Sequence, residues 1–254
     1  MREYDNTAAT VVEKLIREIG DAHKTVQRRA IDELAAMAAS GNRIVIVKLR
    51  ESLVNADRRV RWAAAYALGQ IGAGAFAMDS ADALREAMAD DDGDIRWAAT
   101  NLMVRLGREN LAEISARLLK LAADSDRNAR KMALYCIRDL EIAGVEVLIV
   151  LEGAVRDADV HVRLAALSVL SRIRDASGQA VRIILECLKS DPDAGVRRAA
   201  ASALGNIQDA GADATAALAS AAADPADESL ARAARGALDR LDRVRLEKTT
   251  LEKR

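Results

Sequence analysis

Residues 60–68 read Val-Arg-Trp-Ala-Ala-Ala-Tyr-Ala-Leu, and this pattern decides the fold because variants of it recur along the chain. Residues 196–204 read Val-Arg-Arg-Ala-Ala-Ala-Ser-Ala-Leu. The first position of the pattern falls at Val26, Val60, Ile95, Ala129, Val162, Val196 and Leu230. Successive copies are therefore 34, 35, 34, 33, 34 and 34 residues apart. A fixed period of this length is the signature of a solenoid, in which similar units stack side by side.

Each copy predicts two helices, and the pattern opens the second. Counting from its first residue, position five is alanine in every copy: Ala30, Ala64, Ala99, Ala133, Ala166, Ala200 and Ala234. Positions one, five, nine and twelve share one helical face, which we expect to be buried. We expect positions three, six, seven and ten to point away from the core. The first helix has its own apolar anchor at Leu15, Leu49, Leu84, Leu118, Leu151, Leu185 and Ala219.

Acidic and basic residues recur in the loop between the paired helices. Three residues before the pattern stands an aspartate in all copies but the first: Asp57, Asp92, Asp126, Asp159, Asp193 and Asp227. Position two is arginine in the five internal copies: Arg61, Arg96, Arg130, Arg163 and Arg197. We expect these two rows to pair between adjacent copies. Residues of N-cap type such as Asp94 and Asn128 precede the second helix and are expected to cap it.

The loop aspartate, the Val-Arg that follows it, the alanine pair and the Leu-Gly-Gln-Ile-Gly ending at residues 68–72 resemble short bacterial and archaeal HEAT repeats, including the phycobilisome-lyase type. The resemblance covers roughly residues 8–244, expected to form a single solenoid domain, and leaves 245–254 as a charged C-terminal tail. It implies an all-α fold, a right-handed α-solenoid of about seven helix pairs, and a role as a scaffold or adaptor that binds protein partners.

Composition narrows the class of function. The chain has 38 basic and 39 acidic side chains and a net charge of -1, so a domain-wide basic field for nucleic acid is absent. Apolar runs such as residues 44–47 are far below membrane-spanning length. Two cysteines and the absence of an apolar leader predict a cytoplasmic protein. Cys136 is expected to be a small buried hydrophobe, and Cys187 a stray surface cysteine, with a reactive thiol as the alternative.

Four of the six aromatic residues fall at positions three or seven of the second helix, outside the predicted core. They are Trp62, Tyr66, Trp97 and Tyr135, and we expect Leu134, Leu164 and Leu167 to continue them as an apolar strip. Basic side chains flank the strip, among them Arg28, Lys131 and Arg138. Exposed aromatic clusters usually mark binding surfaces. The sequence therefore predicts a protein partner that offers a segment with apolar anchors and acidic flanks.

Two alternatives from other classes stay open. Some HEAT-like glycosylases use tryptophan on a basic face, so nucleic-acid binding or base processing is one alternative. A lyase or chaperone acting on a tetrapyrrole-bearing protein is the other, suggested by the repeat type alone. The two histidines, His23 and His161, are too far apart in sequence to suggest a metal pair. No catalytic constellation emerges, so we predict no enzyme activity, no cofactor and no metal site.

Overall fold

The computed structural model describes residues 2–71, 81–173, 178–207 and 210–252. Within those ranges the secondary structure consists of fourteen α-helices and contains no strand. They are α1 (Arg2–Glu18), α2 (Lys24–Ala39), α3 (Arg43–Ser52), α4 (Arg58–Ile71), α5 (Ala81–Ala89), α6 (Gly93–Glu109), α7 (Leu111–Leu121), α8 (Arg127–Asp139), α9 (Val145–Ala154), α10 (Val160–Leu170), α11 (Gln179–Ser190), α12 (Ala194–Leu204), α13 (Gly211–Ala222) and α14 (Glu228–Glu252). The predicted all-α fold is confirmed.

The chain divides into two compact units, residues 1–136 and residues 137–254, with the boundary inside α8. In unit 1, α1 packs with α2, α3 with α4 and α5 with α6. In unit 2, α9 packs with α10, α11 with α12 and α13 with α14. Second helices also contact one another in the series α2, α4, α6 and in the series α10, α12, α14. This stacking of helix pairs is the arrangement of an α-solenoid.

Small residues let the helices approach closely. All seven position-five alanines are fully buried: Ala30, Ala64, Ala99, Ala133, Ala166, Ala200 and Ala234. Positions one and nine are buried as well, except that Val26 and Leu238 are half-buried. These two exceptions belong to the first and last copies, each of which has only one adjacent copy. Burial of the predicted face is therefore confirmed at positions one, five and nine, and its alanines set the spacing between helices. Position twelve follows the prediction in part: Leu106, Ile173 and Leu241 are buried, whereas Met37, Ile71, Leu140 and Ile207 are half-buried.

The sequence predicted that position six of the second helix points away from the core, and this prediction was wrong. Position six is buried in the first six copies, at Ile31, Ala65, Thr100, Leu134, Leu167 and Ala201. A second helix packs against its own first helix and against the second helices of adjacent copies. Two contact directions bury a wider arc of the helix than a single apolar stripe does.

The first-helix anchors are buried from Leu15 through Leu185, as predicted. The seventh copy departs from the series, because Ala219 is exposed and its neighbour Leu218 is fully buried instead. The sequence alignment of this copy was therefore wrong by one residue. The larger side chain occupies the interior because it buries more apolar surface than alanine would.

The recurring loop aspartate is itself the helix cap. Asp92 accepts hydrogen bonds from the backbone N–H groups of Asp94 and Ile95, at 2.9 and 3.2 Å. Asp159 and Asp193 cap α10 and α12 in the same manner. The predicted caps one residue before the pattern, such as Asp94, instead lie inside the first turn. The second helices therefore start about two residues earlier than the sequence suggested, and the loop carboxylates satisfy their first amide groups.

The position-two arginines do bridge adjacent copies, but two of them use a different aspartate. Arg61 binds Asp90 through two contacts of 2.5 and 3.3 Å, and Arg163 binds Asp191 through two contacts of 2.9 and 3.0 Å. Both aspartates stand two residues before the predicted loop aspartate. Arg197 contacts the predicted partner, Asp227, at 3.5 Å. The bidentate geometry of the first two pairs fixes the orientation of one loop against the next.

Both cysteines are buried free thiols. The prediction for Cys136 is confirmed, since its side chain is fully buried. The prediction of an exposed Cys187 was wrong, because that residue faces the interior of unit 2. Burial raises the pKa of the Cys187 thiol to about 11, and the nearby Asp191 and Glu186 carboxylates add to the shift.

The C-terminal segment forms part of the last helix. Helix α14 runs without a break from Glu228 to Glu252, so it includes most of the predicted charged tail of residues 245–254. The boundaries of 8–244 for one solenoid domain stay a prediction.

Candidate functional site

Two stacked aromatic pairs lie on the second helices of unit 1. Trp62 stacks on Tyr66 of the same helix, α4, with ring centroids 5.2 Å apart and planes 11° from parallel. Trp97 of α6 stacks on Tyr135 of α8, with centroids 5.4 Å apart and planes 12° from parallel. The first pair is one helical turn apart, which is the spacing at which side chains meet on a helix surface.

The four rings remain at the surface despite this pairing. Tyr66 is 44% exposed and Trp97 is 46% exposed, while Trp62 and Tyr135 are half-buried. The sequence predicted that positions three and seven lie outside the core and that these four rings make no contact within the chain. The absence of contacts was wrong, because each tryptophan stacks on a tyrosine. Stacking fixes the rings in place and still leaves apolar surface open to solvent. A rigid, partly exposed aromatic surface loses little side-chain entropy when it binds a ligand.

Two predicted members of the strip do not belong to it. Leu134 and Leu167 are buried, at 0% and 1% exposure, because both occupy position six. Leu164 is half-buried on α10 in unit 2. The part of the predicted strip that unit 1 brings together is therefore Trp62, Tyr66, Trp97 and Tyr135.

The predicted flanking cations differ in whether a neighbouring carboxylate neutralises their positive charge. Arg28 is exposed on α2. The Lys131 ammonium donates a hydrogen bond to the Asn128 side chain at 3.3 Å. The Arg138 guanidinium, in unit 2, donates to the adjacent Asp139 carboxylate at 2.8 Å. Arg138 therefore offers less uncompensated charge than the sequence suggested.

A surface cavity of about 450 Å³ lies between α4 and α6, beside the α4 aromatic pair. Its apolar lining comes from Ala65, Ala98 and Leu102, and Tyr66 also borders it. Its polar lining comes from Gln70, Asn101 and Arg105, with Gly69 between them. The Arg105 guanidinium donates a short hydrogen bond to the Gly69 backbone carbonyl. The cavity thus joins an aromatic side to a polar, cationic end.

Sequence reasoning missed the polar end of this cavity. Gln70 and Arg105 both occupy position eleven, one helical turn beyond the position-seven residues Tyr66 and Asn101. Extending the surface row from positions three and seven to position eleven would have found them, because residues four apart share a helix face.

The described residues lack two other classes of site. No three His, Cys, Asp or Glu side chains there gather closely enough to hold a metal ion. None of the described helices combines the length and apolar character needed to cross a membrane.

A family model for HEAT repeats matches residues 12–104 and 147–239. These ranges cover well over half of the chain, which therefore belongs to the HEAT-repeat family. A search of curated protein sequences finds no significant match. HEAT repeats commonly mediate protein–protein interaction.

Solved structures agree on the fold. An archaeal HEAT-like repeats protein from Thermococcus onnurineus NA1 is 15% identical, with a TM-score of 0.53 over 92% of this chain and 97% of that one. The Escherichia coli protein YibA is 17% identical, with a TM-score of 0.52 over 91% and 92%. Kap95p, whose binding induces the switch loops of RanGDP to adopt the GTP-bound conformation, is 16% identical with a TM-score of 0.62. This match covers 91% of the chain but only 35% of Kap95p.

Proposed function

We propose that this chain is a non-enzymatic scaffold or adaptor that binds a segment of a partner protein on the aromatic surface of unit 1. The observation that carries the proposal is the exposure of two preorganised aromatic stacks, Trp62–Tyr66 and Trp97–Tyr135, on helices whose other faces are packed. Aromatic side chains dominate the binding energy of protein interfaces. The binding of RanGDP by Kap95p, a HEAT-like fold neighbour, is in keeping with it.

The partner segment is expected to have apolar anchors and acidic flanks. Apolar side chains would cover the exposed ring surface of Tyr66 and Trp97, and acidic residues would complement the cations at Arg28 and Lys131. Free, buried thiols at Cys136 and Cys187 are compatible with the cytoplasmic location predicted from sequence. The narrower likeness to phycobilisome-lyase repeats, with a role on tetrapyrrole-bearing proteins, stays a prediction from sequence alone.

Selection of random displayed peptides on the full-length protein tests the proposal. We expect enriched peptides to carry aromatic or large aliphatic residues and to bind the Trp62→Ala and Trp97→Ala variants at least about tenfold more weakly, because a central aromatic anchor contributes roughly 2 kcal/mol. The matched control is Ile149→Ala, which removes another large exposed side chain, 62% exposed on α9. This variant should bind within about twofold of the original protein.

Far-ultraviolet circular dichroism of each variant checks that the helices are intact. Loss of one half-exposed ring should cost about 1 kcal/mol of stability and leave the chain folded. Enriched peptides that bind the two tryptophan variants as tightly as the original protein, or no enrichment at all, would rule out the aromatic surface as the binding site.

A further inference from the structure

Arg105 has an arrangement suited to binding an anion. Its guanidinium is exposed at the polar end of the cavity between α4 and α6, where the Gly69 carbonyl holds one of its N–H groups. A guanidinium has five N–H donors, so four remain. No carboxylate of the described residues forms an ion pair with it. Its orientation is thus fixed by a neutral backbone group, while its charge is left uncompensated.

The surroundings of Arg105 also favour an acidic group. Helix α4 contains no Asp or Glu, so the wall opposite Arg105 contributes no negative side chain. The side chains of Gln70 and Asn101 line the same end of the cavity and can donate further hydrogen bonds through their amide nitrogens. A carboxylate placed there would meet one cation and as many as two amide groups, which is a charge-assisted arrangement.

The separation between Arg105 and the aromatic pair limits how a ligand can reach both. Gly69, which marks the level of the guanidinium, lies seven residues beyond Trp62 on α4. Seven residues of helix rise about 10 Å. An extended peptide advances about 3.3 Å per residue, so about three residues span that distance.

We infer that the polar end of this cavity binds the carboxylate of an acidic side chain, Asp or Glu, about three residues from an apolar residue that lies on the Trp62–Tyr66 stack. The inference rests on the proposed function and names the recognition chemistry of that site. The available donors are side chains, whereas free chain termini are typically captured by backbone N–H groups. The acidic group therefore comes from within an extended segment rather than from the end of a chain.

Fluorescein-labelled peptides measured by fluorescence anisotropy test the inference on the full-length protein. Each amidated peptide carries one Trp and one Glu separated by one to five alanines, and a matched set replaces Glu with Gln. We expect the tightest binding where the acid lies about three residues from Trp. There the Glu peptide should bind about fivefold more tightly than its Gln counterpart, as a partly exposed charge-assisted hydrogen bond would give.

Variants of Arg105 separate direct contact from general attraction. In Arg105→Gln, the ratio of Glu to Gln affinity should fall below about twofold, and Arg105→Lys should restore part of it because the charge is kept. The control is Arg108→Gln, which removes an exposed charge from the same helix outside the cavity lining. It should retain the fivefold ratio. Thermal melts within a few degrees of one another would show that the three variants remain folded.

Three results would overturn the inference. An unchanged Glu to Gln ratio in Arg105→Gln would exclude a contact with Arg105. An equal loss in Arg108→Gln would indicate a general electrostatic effect. A Gln peptide with a free C-terminus that binds as well as the amidated Glu peptide would assign the subsite to a chain terminus. If the peptides bind and Trp62→Ala lowers their affinity, but Arg105→Gln leaves the ratio of Glu to Gln affinity unchanged, only this inference fails. If no peptide distinguishes Trp62→Ala from the original protein, the proposed function fails with it.

Discussion

Helices α12 and α14 approach each other closely at Gly205. A Cβ atom built there would lie 2.6 Å from the Cα and 2.7 Å from the Cβ of Ala237. The φ angle of Gly205 is -69°, which any residue adopts. Glycine is therefore required by the packing of two backbones and not by its own conformational freedom.

Gly205→Ala should lower the free energy of unfolding by about 1–3 kcal/mol, because neither backbone can yield without moving a helix. Urea denaturation followed by circular dichroism measures this. The control is Gly153→Ala in α9, where a Cβ meets no atom within 4 Å. That change should be neutral or stabilise the protein by up to about 1 kcal/mol, since alanine favours helix. Equal stability of the two variants would contradict the packing explanation.

The buried Cys187 thiol predicts a pH effect of known sign. An acid whose pKa is raised on folding holds its proton more tightly in the native state, so the free energy of unfolding falls as pH rises from about 9 to about 11. The loss attributable to Cys187 should be on the order of 2 kcal/mol.

Comparison of the protein with Cys187→Ala by urea denaturation across this pH range isolates the thiol, because tyrosine and lysine titrations are common to both. The difference in stability between them should shrink as pH rises. A difference that stays constant from pH 8 to 11 would show that the thiol ionises as freely in the folded state as in the unfolded chain.

Residue burial was predictable where it depends on the pattern of a single helix. The alanines at position five were identified correctly because their repetition records a constraint present in every copy. Position six was misassigned, and Leu134 and Leu167 with it, because its burial depends on the second helices of adjacent copies. A stripe read from a single helix does not contain that contact.

In the loops between paired helices, one aspartate caps the second helix and another binds the arginine of the preceding copy. Asp191 has the second role, since its carboxylate binds Arg163 at 2.9 and 3.0 Å and also orders its own turn by accepting a hydrogen bond from the Asp193 backbone N–H at 2.9 Å. Only 5% of the Asp191 side chain and 11% of the Arg163 side chain are exposed. Asp191 also holds the pKa of Arg163 above its ordinary value, because the hydrogen-bonded carboxylate stabilises the charged guanidinium.

Asp191→Asn should destabilise the protein by about 3 kcal/mol, because it leaves the Arg163 charge buried without its counterion. Glu186→Gln is the matched control. It makes the same chemical change in the exposed pair with Arg156, whose side chains are each 52% exposed. Its cost should not exceed about 0.5 kcal/mol. Chemical denaturation at neutral pH measures the free energy of unfolding of both variants. Similar decreases in the two would show that burial does not determine how much these ion pairs contribute to stability.

At the level of elements, the sequence predicted the helix pairs and the acidic and basic rows correctly. It misplaced the helix starts because Asp92 and Asp94 are both good capping residues, and only backbone geometry distinguishes them. It misassigned the partners of Arg61 and Arg163 because the candidate aspartates are two residues apart. An arginine side chain is long enough to reach either one.

The last copy of the repeat is the least buried in unit 2. Helices α11 and α13 both have twelve residues, yet α11 buries Ala180, Ile183, Ile184, Leu185, Cys187 and Leu188, while α13 buries only Ala214 and Leu218. Stability in a stacked array depends on contacts with neighbouring copies, and the terminal copy has one neighbour. Its helices should therefore open at lower free energy.

Hydrogen exchange measured by mass spectrometry should show α13 amides exchanging at least about tenfold faster than those of α11, corresponding to about 1.4 kcal/mol less protection. The two helices lie in one unit and have equal length, so each serves as a reference for the other. Equal protection would mean that α11 to α14 open as one cooperative block.

Over the whole molecule, the sequence predicted the repeat architecture well and the candidate site only in part. Trp62, Tyr66, Trp97 and Tyr135 were identified because their positions break a pattern of small and apolar residues. Their pairing into two stacks depends on side-chain rotamers, which repeat spacing does not specify. The cavity end formed by Gln70, Asn101 and Arg105 requires two neighbouring helices together, so no single copy of the repeat reveals it.

The double role of Asp191 bears on how such a chain can lengthen. One carboxylate shapes its own turn and also receives the arginine of the preceding copy. The same local chemistry thus supplies both the start of a module and its joint to the module before. A duplicated gene segment of one period would carry a complete coupling with it. Growth by tandem duplication then needs no new compensating substitution at the junction, and divergence is free to act on the outward-facing rows.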